Sequence, residues 1–247
     1  SNRIVWSENL KCDPDDDDDD GDGYVNGCDL CPGGDDGVDA DGDLIPDDCE
    51  VRSIAIDNVT LAEGIVGPTD FVFTGTLTGD APTPFSVDYS TSAVTATAGS
   101  DYDATPGTIF FAGDDGETQT ITVSVAADAI LEPDETFTVE LEHPSDGGTL
   151  VSDSSGLGTI EDDDASSLSI DDVTALEGAA GTTGFVFTVT LSGPVQGGVS
   201  VDYATADGTA TAPGDYAATS GTLSFDGSTA ATQTVTVFVD GDDVVEV

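Results

Sequence analysis

The stretch Thr159-Ile160-Glu161-Asp162-Asp163-Asp164, running on as Ala165-Ser166-Ser167-Leu168-Ser169-Ile170, joins two copies of one repeat. Ser53-Ile54-Ala55-Ile56-Asp57-Asn58-Val59-Thr60 returns 114 residues later as Ser167-Leu168-Ser169-Ile170-Asp171-Asp172-Val173-Thr174. Glu63-Gly64 returns as Glu177-Gly178, Ser100-Asp101-Tyr102 as Gly214-Asp215-Tyr216, and Thr118-Gln119-Thr120 as Thr232-Gln233-Thr234. Self-similarity at a fixed period marks a duplicated module. Three successive Asp at the join are expected to stay unburied, because neighbouring ionised carboxylates repel by roughly 4 kcal/mol at an effective dielectric near 20. A cation is expected beside them.

Within each copy the apolar period is two. Phe71, Phe73 and Leu77 alternate with Val72, Thr74, Thr76 and Thr78, and Phe185, Phe187, Val189 and Leu191 alternate with Val186, Thr188 and Thr190. Val87/Tyr89, Ile109/Phe111, Ile121/Val123/Val125 and Phe137/Val139/Leu141 continue the pattern between Gly, Pro and Asp turns. About seven short strands per module, each with one buried face, predict an all-β chain of two immunoglobulin-like antiparallel β-sandwiches. The expected organisation is a β-prone N-terminal segment over 1–10, an irregular Asp/Cys-rich arm over 11–50, a first domain over 51–164 and a second over 165–247.

The second copy runs to Glu246-Val247, which match Glu132-Pro133. It is therefore expected to lack counterparts of the Phe137/Val139/Leu141 strand and of the strand through Ile160. Burying such side chains is worth roughly 1.5 to 3 kcal/mol each. Two completions are expected: a longer array, or a strand supplied by another copy. In the second case Ile4 and Trp6 of residues 1–10 would be the inward residues of a strand inserted into domain 2, and head-to-tail insertion of that kind builds filaments.

The 247 residues carry 51 Asp and Glu against 3 Lys and Arg, a formal charge of -48. Nucleic acid and anionic membrane surfaces are thereby excluded as attracted partners. There is no apolar run of about 18 residues, so membrane insertion is not expected. Ser1-Asn2-Arg3 does not open a signal peptide, so a secreted protein would be a processed or trimmed form. A halophile would also be this acidic, but acid serving solubility should be spread over strand exteriors. Here those positions are Thr and Ser, as in Thr120, Thr122 and Ser124, and the carboxylates collect in turns.

The four cysteines, Cys12, Cys28, Cys31 and Cys49, all lie in the acid-rich arm. Their even number in a loop-rich setting favours disulfides and an oxidising compartment. Zinc is the competing reading, although the surrounding hard oxygen ligands suit it poorly. The run Asp15 to Asp20 read alone is a solvated acidic tail. Spacing points elsewhere: Asp39, Asp41, Asp43 and Asp47 fall at positions 1, 3, 5 and 9 of a loop in which Ile45 offers its carbonyl at position 7. That is the opening half of an EF-hand-like calcium loop. Asp18, Asp20, Asp22, the Tyr24 carbonyl and Asn26 repeat it 21 residues earlier.

With Cys28-Asp29-Leu30-Cys31-Pro32 between two such loops, the arm resembles thrombospondin type 3 repeats. The resemblance implies pairing of Cys12 with Cys28 and of Cys31 with Cys49, each closing a loop worth about 3 kcal/mol. Leu44 departs from the pattern, standing where the sharp turn favours Gly.

Both repeats, through Glu63-Gly64, Gly99-Ser100-Asp101-Tyr102, Gly107-Thr108-Ile109-Phe110-Phe111, Asp134-Glu135-Thr136-Phe137 and Asp162-Asp163-Asp164, resemble the Calx-β domain. The resemblance implies calcium ligands at Glu63, Asp101, Asp128, Glu132, Glu135, Asp162, Asp163 and Asp164, with a carbonyl from Ile130. In the second copy it implies Glu177, Asp215, Asp242 and Glu246. Ala127 and Gly241 stand where binding members often have a second Asp. Competing readings are plain: Asp101 and Asp215 also suit turns ahead of a packed Tyr, and Glu63 and Glu177 also suit solvated strand ends. Asp134 is expected to face water.

Catalysis is not expected. The single His143 precedes Pro144 in a turn, and no Ser or Cys nucleophile has a base nearby in sequence. Paired carboxylates doing glycosidase work need a raised pKa in an apolar cleft. The preferred expectation is an extracellular or cell-surface calcium-binding structural or adhesion protein whose modules Ca2+ stiffens end to end. The alternative is a calcium-dependent glycan-binding module of a larger adhesin or secreted enzyme, for which Trp6 and the five Tyr offer little aromatic platform. An intracellular sensor, as in the exchangers of the family, conflicts with paired cysteines.

Overall fold

The Phe71, Phe73, Leu77 alternation becomes the ten-residue strand β3 (Thr69–Thr78), whose inward residues are solvent-excluded while Val72 is 45% exposed. β-Branched Thr and Val at the outward positions suit a pleated, half-buried surface. The computed structural model describes residues 52–81 and 83–243. The arm with its candidate ligands and four cysteines, the N-terminal segment, and Glu246 lie outside the described residues. Among the described residues every regular element is a strand.

These residues divide into two compact units that cut across the repeat boundary. The first holds the described residues up to Leu61, Asp70–Val125 and Glu135–Thr159; the second holds Ala62–Thr69, Ala126–Asp134 and the described residues from Ile160 onward. Three short pieces of the first repeat thus belong with the second.

Among the described residues the first repeat makes nine strands. Besides β3 they are β1 (Ser53–Ile56), β2 (Val59–Ala62), β4 (Phe85–Ala93), β5 (Gly107–Phe111), β6 (Thr118–Val125), β7 (Glu135–Glu142), β8 (Leu150–Asp153) and β9 (Ser155–Glu161). They form a four-stranded sheet in the order β6-β3-β1-β8 and a five-stranded sheet in the order β2-β9-β7-β4-β5. The pairing is not wholly antiparallel: β8 lies parallel to β1. β8 and β9 are separated by Ser154 alone and serve different sheets, so one extended stretch changes sheets and its first half meets β1 in the same direction.

The core of the first unit is built around Phe137 of β7. Its ring stacks on Tyr102 with centroids 4.5 Å apart and meets Phe71 at 5.9 Å and Phe73 at 5.8 Å. Space for it comes from β9, where Gly158 faces inward: a Cβ there would stand 2.5 Å from Phe137 Cζ. Offset aromatic groups of this kind contribute beyond their buried area.

Among the described residues the second repeat makes five strands: β10 (Leu168–Ile170), β11 (Gly181–Leu191), β12 (Val199–Ala204), β13 (Ser220–Phe225) and β14 (Ala231–Gly241). Their orders, β10-β11-β14 and β12-β13, reproduce β1-β3-β6 and β4-β5 strand for strand. Val189, Leu191, Tyr216, Leu223, Phe225, Val235 and Val237 form its core. On the side of β12 away from β13, no strand is paired among the described residues.

Candidate metal centre

Three segments of the first repeat, all within the second unit, build an acidic cluster. Glu63 lies one residue past β2, and its N–H donates to the Glu161 carbonyl at 3.1 Å, extending the ladder by one step. Gly64 then turns the chain at φ +85°, a conformation that favours glycine. The ladder holds Glu63 inward, at 3% exposure.

The closing acids arrive from β9. The period-two alternation of that strand carries on through the run, so Asp162 and Asp164 are half-buried and Asp163 is exposed. This corrects the expectation of a wholly solvent-facing triad: alternation outlasts the change from apolar to acidic residues. Glu63, Asp162 and Asp164 each bring a carboxylate oxygen to within 4.8 Å of the others. Glu63 Oε1, Asp162 Oδ1 and Asp164 Oδ2 are buried and have no hydrogen-bond partner.

Two braces fix this geometry. Asp163 Oδ1 accepts the Gly64 N–H at 3.2 Å, and Asp134 Oδ1 accepts the Asp162 N–H at 3.2 Å. Asp134 is exposed, as expected, yet it holds the backbone of the inward acid beside it. Neither role was visible in the sequence, where both residues read as further members of acidic runs.

The acidic turn 126–134 supplies the surrounding charge. Ile130 N–H donates to Asp128 Oδ1 at 2.7 Å. The turn is seated on the second repeat: Leu131 N–H donates to the Pro194 carbonyl at 3.2 Å, Gln196 N–H to the Leu131 carbonyl at 2.9 Å, and Gln196 Nε2 to Glu132 Oε2 at 3.0 Å. Gln196 carries no sequence signal of this role, since it pairs across 64 residues. Burial first, then the charges of Asp128, Glu132, Asp164 and Asp162, push the Glu63 carboxyl up to about 7. Burial, Asp162, Asp163 and Asp128 likewise raise Asp164.

The remaining candidates divide. In the first unit Asp101 and Glu135 bring carboxylate oxygens within 4.8 Å of one another. Asp101 also serves the turn reading: its Oδ2 accepts the Thr97 N–H at 2.6 Å, ahead of the buried Tyr102. Asp215 repeats that turn, accepting the Thr211 N–H at 2.7 Å ahead of the buried Tyr216. Glu177 is half-buried and Asp242 exposed, and among the described residues neither they nor Asp215 join an acidic cluster.

Buried, unpartnered carboxylate oxygens that repel one another are costly unless paired with a cation. The Glu63, Asp162 and Asp164 set therefore fits a metal ion. All of the donors are hard oxygens on a turn and an unpaired strand end, with further acids around them. That set suits calcium, with its six to eight flexible oxygen ligands, better than zinc or magnesium.

The family model described as "Calx-beta domain" matches residues 67–164 and 161–247. Sodium/calcium exchanger 1 of Bos taurus is 34% identical over 188 residues, covering 68% of this chain and 19% of that protein. The Mus musculus exchanger is 33% identical over the same length. The chain thus spans 19% of the length of these relatives. Among solved structures, the apo-form Calx CBD1 domain gives a TM-score of 0.42 at 29% identity, covering 47% of this chain and 100% of that one. CBD12 from CALX1.2 gives 0.42 at 24% identity, covering 78% and 77%.

Proposed function

The chain belongs to the Calx-beta domain family, and on that premise we propose that it is an extracellular calcium-binding structural or adhesion protein whose modules Ca2+ stiffens end to end. The observation that carries this reading is the convergence of three buried, unpartnered carboxylate oxygens from Glu63, Asp162 and Asp164. They come from two chain segments 99 residues apart, Glu63 on one and the run ending at Asp162 and Asp164 on the other. The turn carrying Asp128 and Glu132 is bonded to the second repeat at Pro194 and Gln196. Metal bound there draws together the β2 end, the acidic turn and the link that leads into β10.

The arm over residues 11–50 extends the same chemistry. Its alternately spaced Asp resemble thrombospondin type 3 loops, and its cysteines fit disulfides and an exterior location. The role proposed is non-catalytic: the acids act by holding a cation. Joining of copies head to tail, with residues 1–10 donated to domain 2, would turn a stiff module into a filament.

The deciding experiment is thermal unfolding of the full chain under calcium titration, with a chelator control. A ligand that binds only the folded state stabilises it by about 2.7 kcal/mol at a hundred times its Kd. A melting temperature that rises with calcium and falls back with chelator supports the reading. A melting temperature indifferent to calcium defeats it.

A further inference from the structure

The two repeats part company at one residue of an otherwise repeated turn. In the first repeat Asp57-Asn58 links β1 to β2, which belong to different sheets. Both residues are tied down: Asp57 Oδ1 accepts the Thr74 N–H at 2.7 Å, and Asn58 Oδ1 accepts the Leu157 N–H of β9 at 2.6 Å. The second repeat keeps the first tie, with Asp171 Oδ1 accepting the Thr188 N–H at 2.6 Å, but has Asp172 in place of Asn58.

The bond that Asn58 makes does not require an amide. A carboxylate oxygen accepts a backbone N–H at least as well. A chain with 51 Asp and Glu has only four Asn, and Asn58 alone of them falls within residues 51–247. What the amide adds is its nitrogen. Only the oxygen can accept from Leu157, which fixes the orientation of the amide, and Nδ2 makes no hydrogen bond among the described residues. Asn58 and Thr60 are exposed while Val59 between them is half-buried. β2 is the edge strand of its sheet, so among the described residues no strand is paired on its outer side.

Asn58-Val59-Thr60 has the Asn-x-Thr form, with x other than Pro, of an N-glycosylation acceptor on a surface loop of an exported protein. None of the other three Asn has Ser or Thr two residues on. We propose that Asn58 is an N-glycosylation site whose co-reactant is an oligosaccharide carried on a polyprenyl diphosphate. This rests on the extracellular reading above and adds a covalent modification to it. Nδ2 forms a bond to C1 of the first sugar as the C1–O bond to the diphosphate breaks. The lipid diphosphate leaves with that electron pair, Nδ2 gives up one proton to a base of the transferase, and nothing is oxidised or reduced. Oδ1 is untouched, so the modified side chain keeps its bond to Leu157. Asp172 has no such nitrogen, and the second repeat is left bare at this turn.

The test is mass spectrometry of the full chain exported through the secretory pathway of a eukaryotic host, before and after peptide N-glycosidase. Wild type and Thr60→Ser should carry glycosidase-sensitive mass on the peptide holding residue 58. Asn58→Asp and Thr60→Ala should carry none there, and Asn58→Asp keeps the acceptor for Leu157, so its loss of glycan is not loss of the turn. An exported wild-type chain with Asn58 unmodified overturns the site and leaves the extracellular reading standing. The chain recovered from the cells that naturally make it separates the two again. Glycan on Asn58 supports both, recovery outside the cell without it overturns the site alone, and confinement inside the cell without it overturns both.

Discussion

Asp163 Oδ1 accepts the backbone N–H of Gly64 at 3.2 Å, across 99 residues of sequence. The bond clasps the end of β2 to the acidic run and sets Glu63 facing Asp162 and Asp164. Asp163 thus positions the cluster from outside it. Asp163→Asn keeps an acceptor oxygen and should leave calcium affinity nearly unchanged, whereas Asp163→Ala should weaken it about 10-fold, as lost outer supports of a metal site do. Asp164→Asn, which removes one of the converging carboxylates, should weaken it more. Calorimetric calcium titration of the three variants checks the order.

Asp134 predicts a second separation. Its carboxylate holds the Asp162 N–H. Asp134→Ala should lower stability by about 1 kcal/mol, the net worth of one such hydrogen bond, and reduce the stabilisation that calcium confers. Denaturant unfolding with and without calcium reads both. An Asp134→Ala chain equal to wild type in each would show that the brace contributes nothing.

Glu63 makes the metal-free protein sensitive to pH. Its folded-state value of about 7 lies above the ordinary 4.5, so between those values the folded state holds a proton that the unfolded chain has released. Stability of the metal-free chain from this group is therefore greatest below about 4.5 and falls as pH rises to about 7. Glu63→Gln should remove that fall and raise metal-free stability at pH 8. Calcium binds the ionised form, so its stabilising effect on wild type should grow over the same interval. Melting temperatures from pH 4.5 to 8, in chelator and in calcium, separate the two effects.

Phe137 and Gly158 test the first unit's core. Removing the ring by Phe137→Ala should cost about 3 to 5 kcal/mol. Gly158→Ala places a Cβ 2.5 Å from Phe137 Cζ and should cost about 1 to 3 kcal/mol through overpacking. If the clash is the cause, adding Gly158→Ala to a Phe137→Leu chain should cost less than adding it to wild type. A double-mutant cycle in denaturant measures that difference.

The strands were legible because one face of each is buried and the side-chain period is two. Phe71, Phe73, Ile121, Val123, Phe137 and Val139 are each solvent-excluded or nearly so, as their alternation requires. The duplication was equally plain, and the five strands described in the second repeat keep the pairing order of β1, β3, β6 and of β4, β5 in the first. The parallel meeting of β8 with β1 was not visible, because pairing direction depends on where a stretch changes sheets, and alternation is the same in either direction.

The candidate centre was half legible. That Glu63 and the Asp162 to Asp164 run belong together followed from residue type and resemblance. Which acids turn inward did not: Asp162, Asp163 and Asp164 are chemically identical, and the pleat alone assigns the first and third to the cluster and the second to Gly64. Local patterning, carried by each short stretch by itself, determined an all-β duplicated chain rich in carboxylate turns. Partnership across 60 to 100 residues, as in Gln196 with Glu132 and Gly64 with Asp163, was decided by the tertiary structure. Such contacts depend on how separate strands are brought side by side, and no single stretch of chain encodes that.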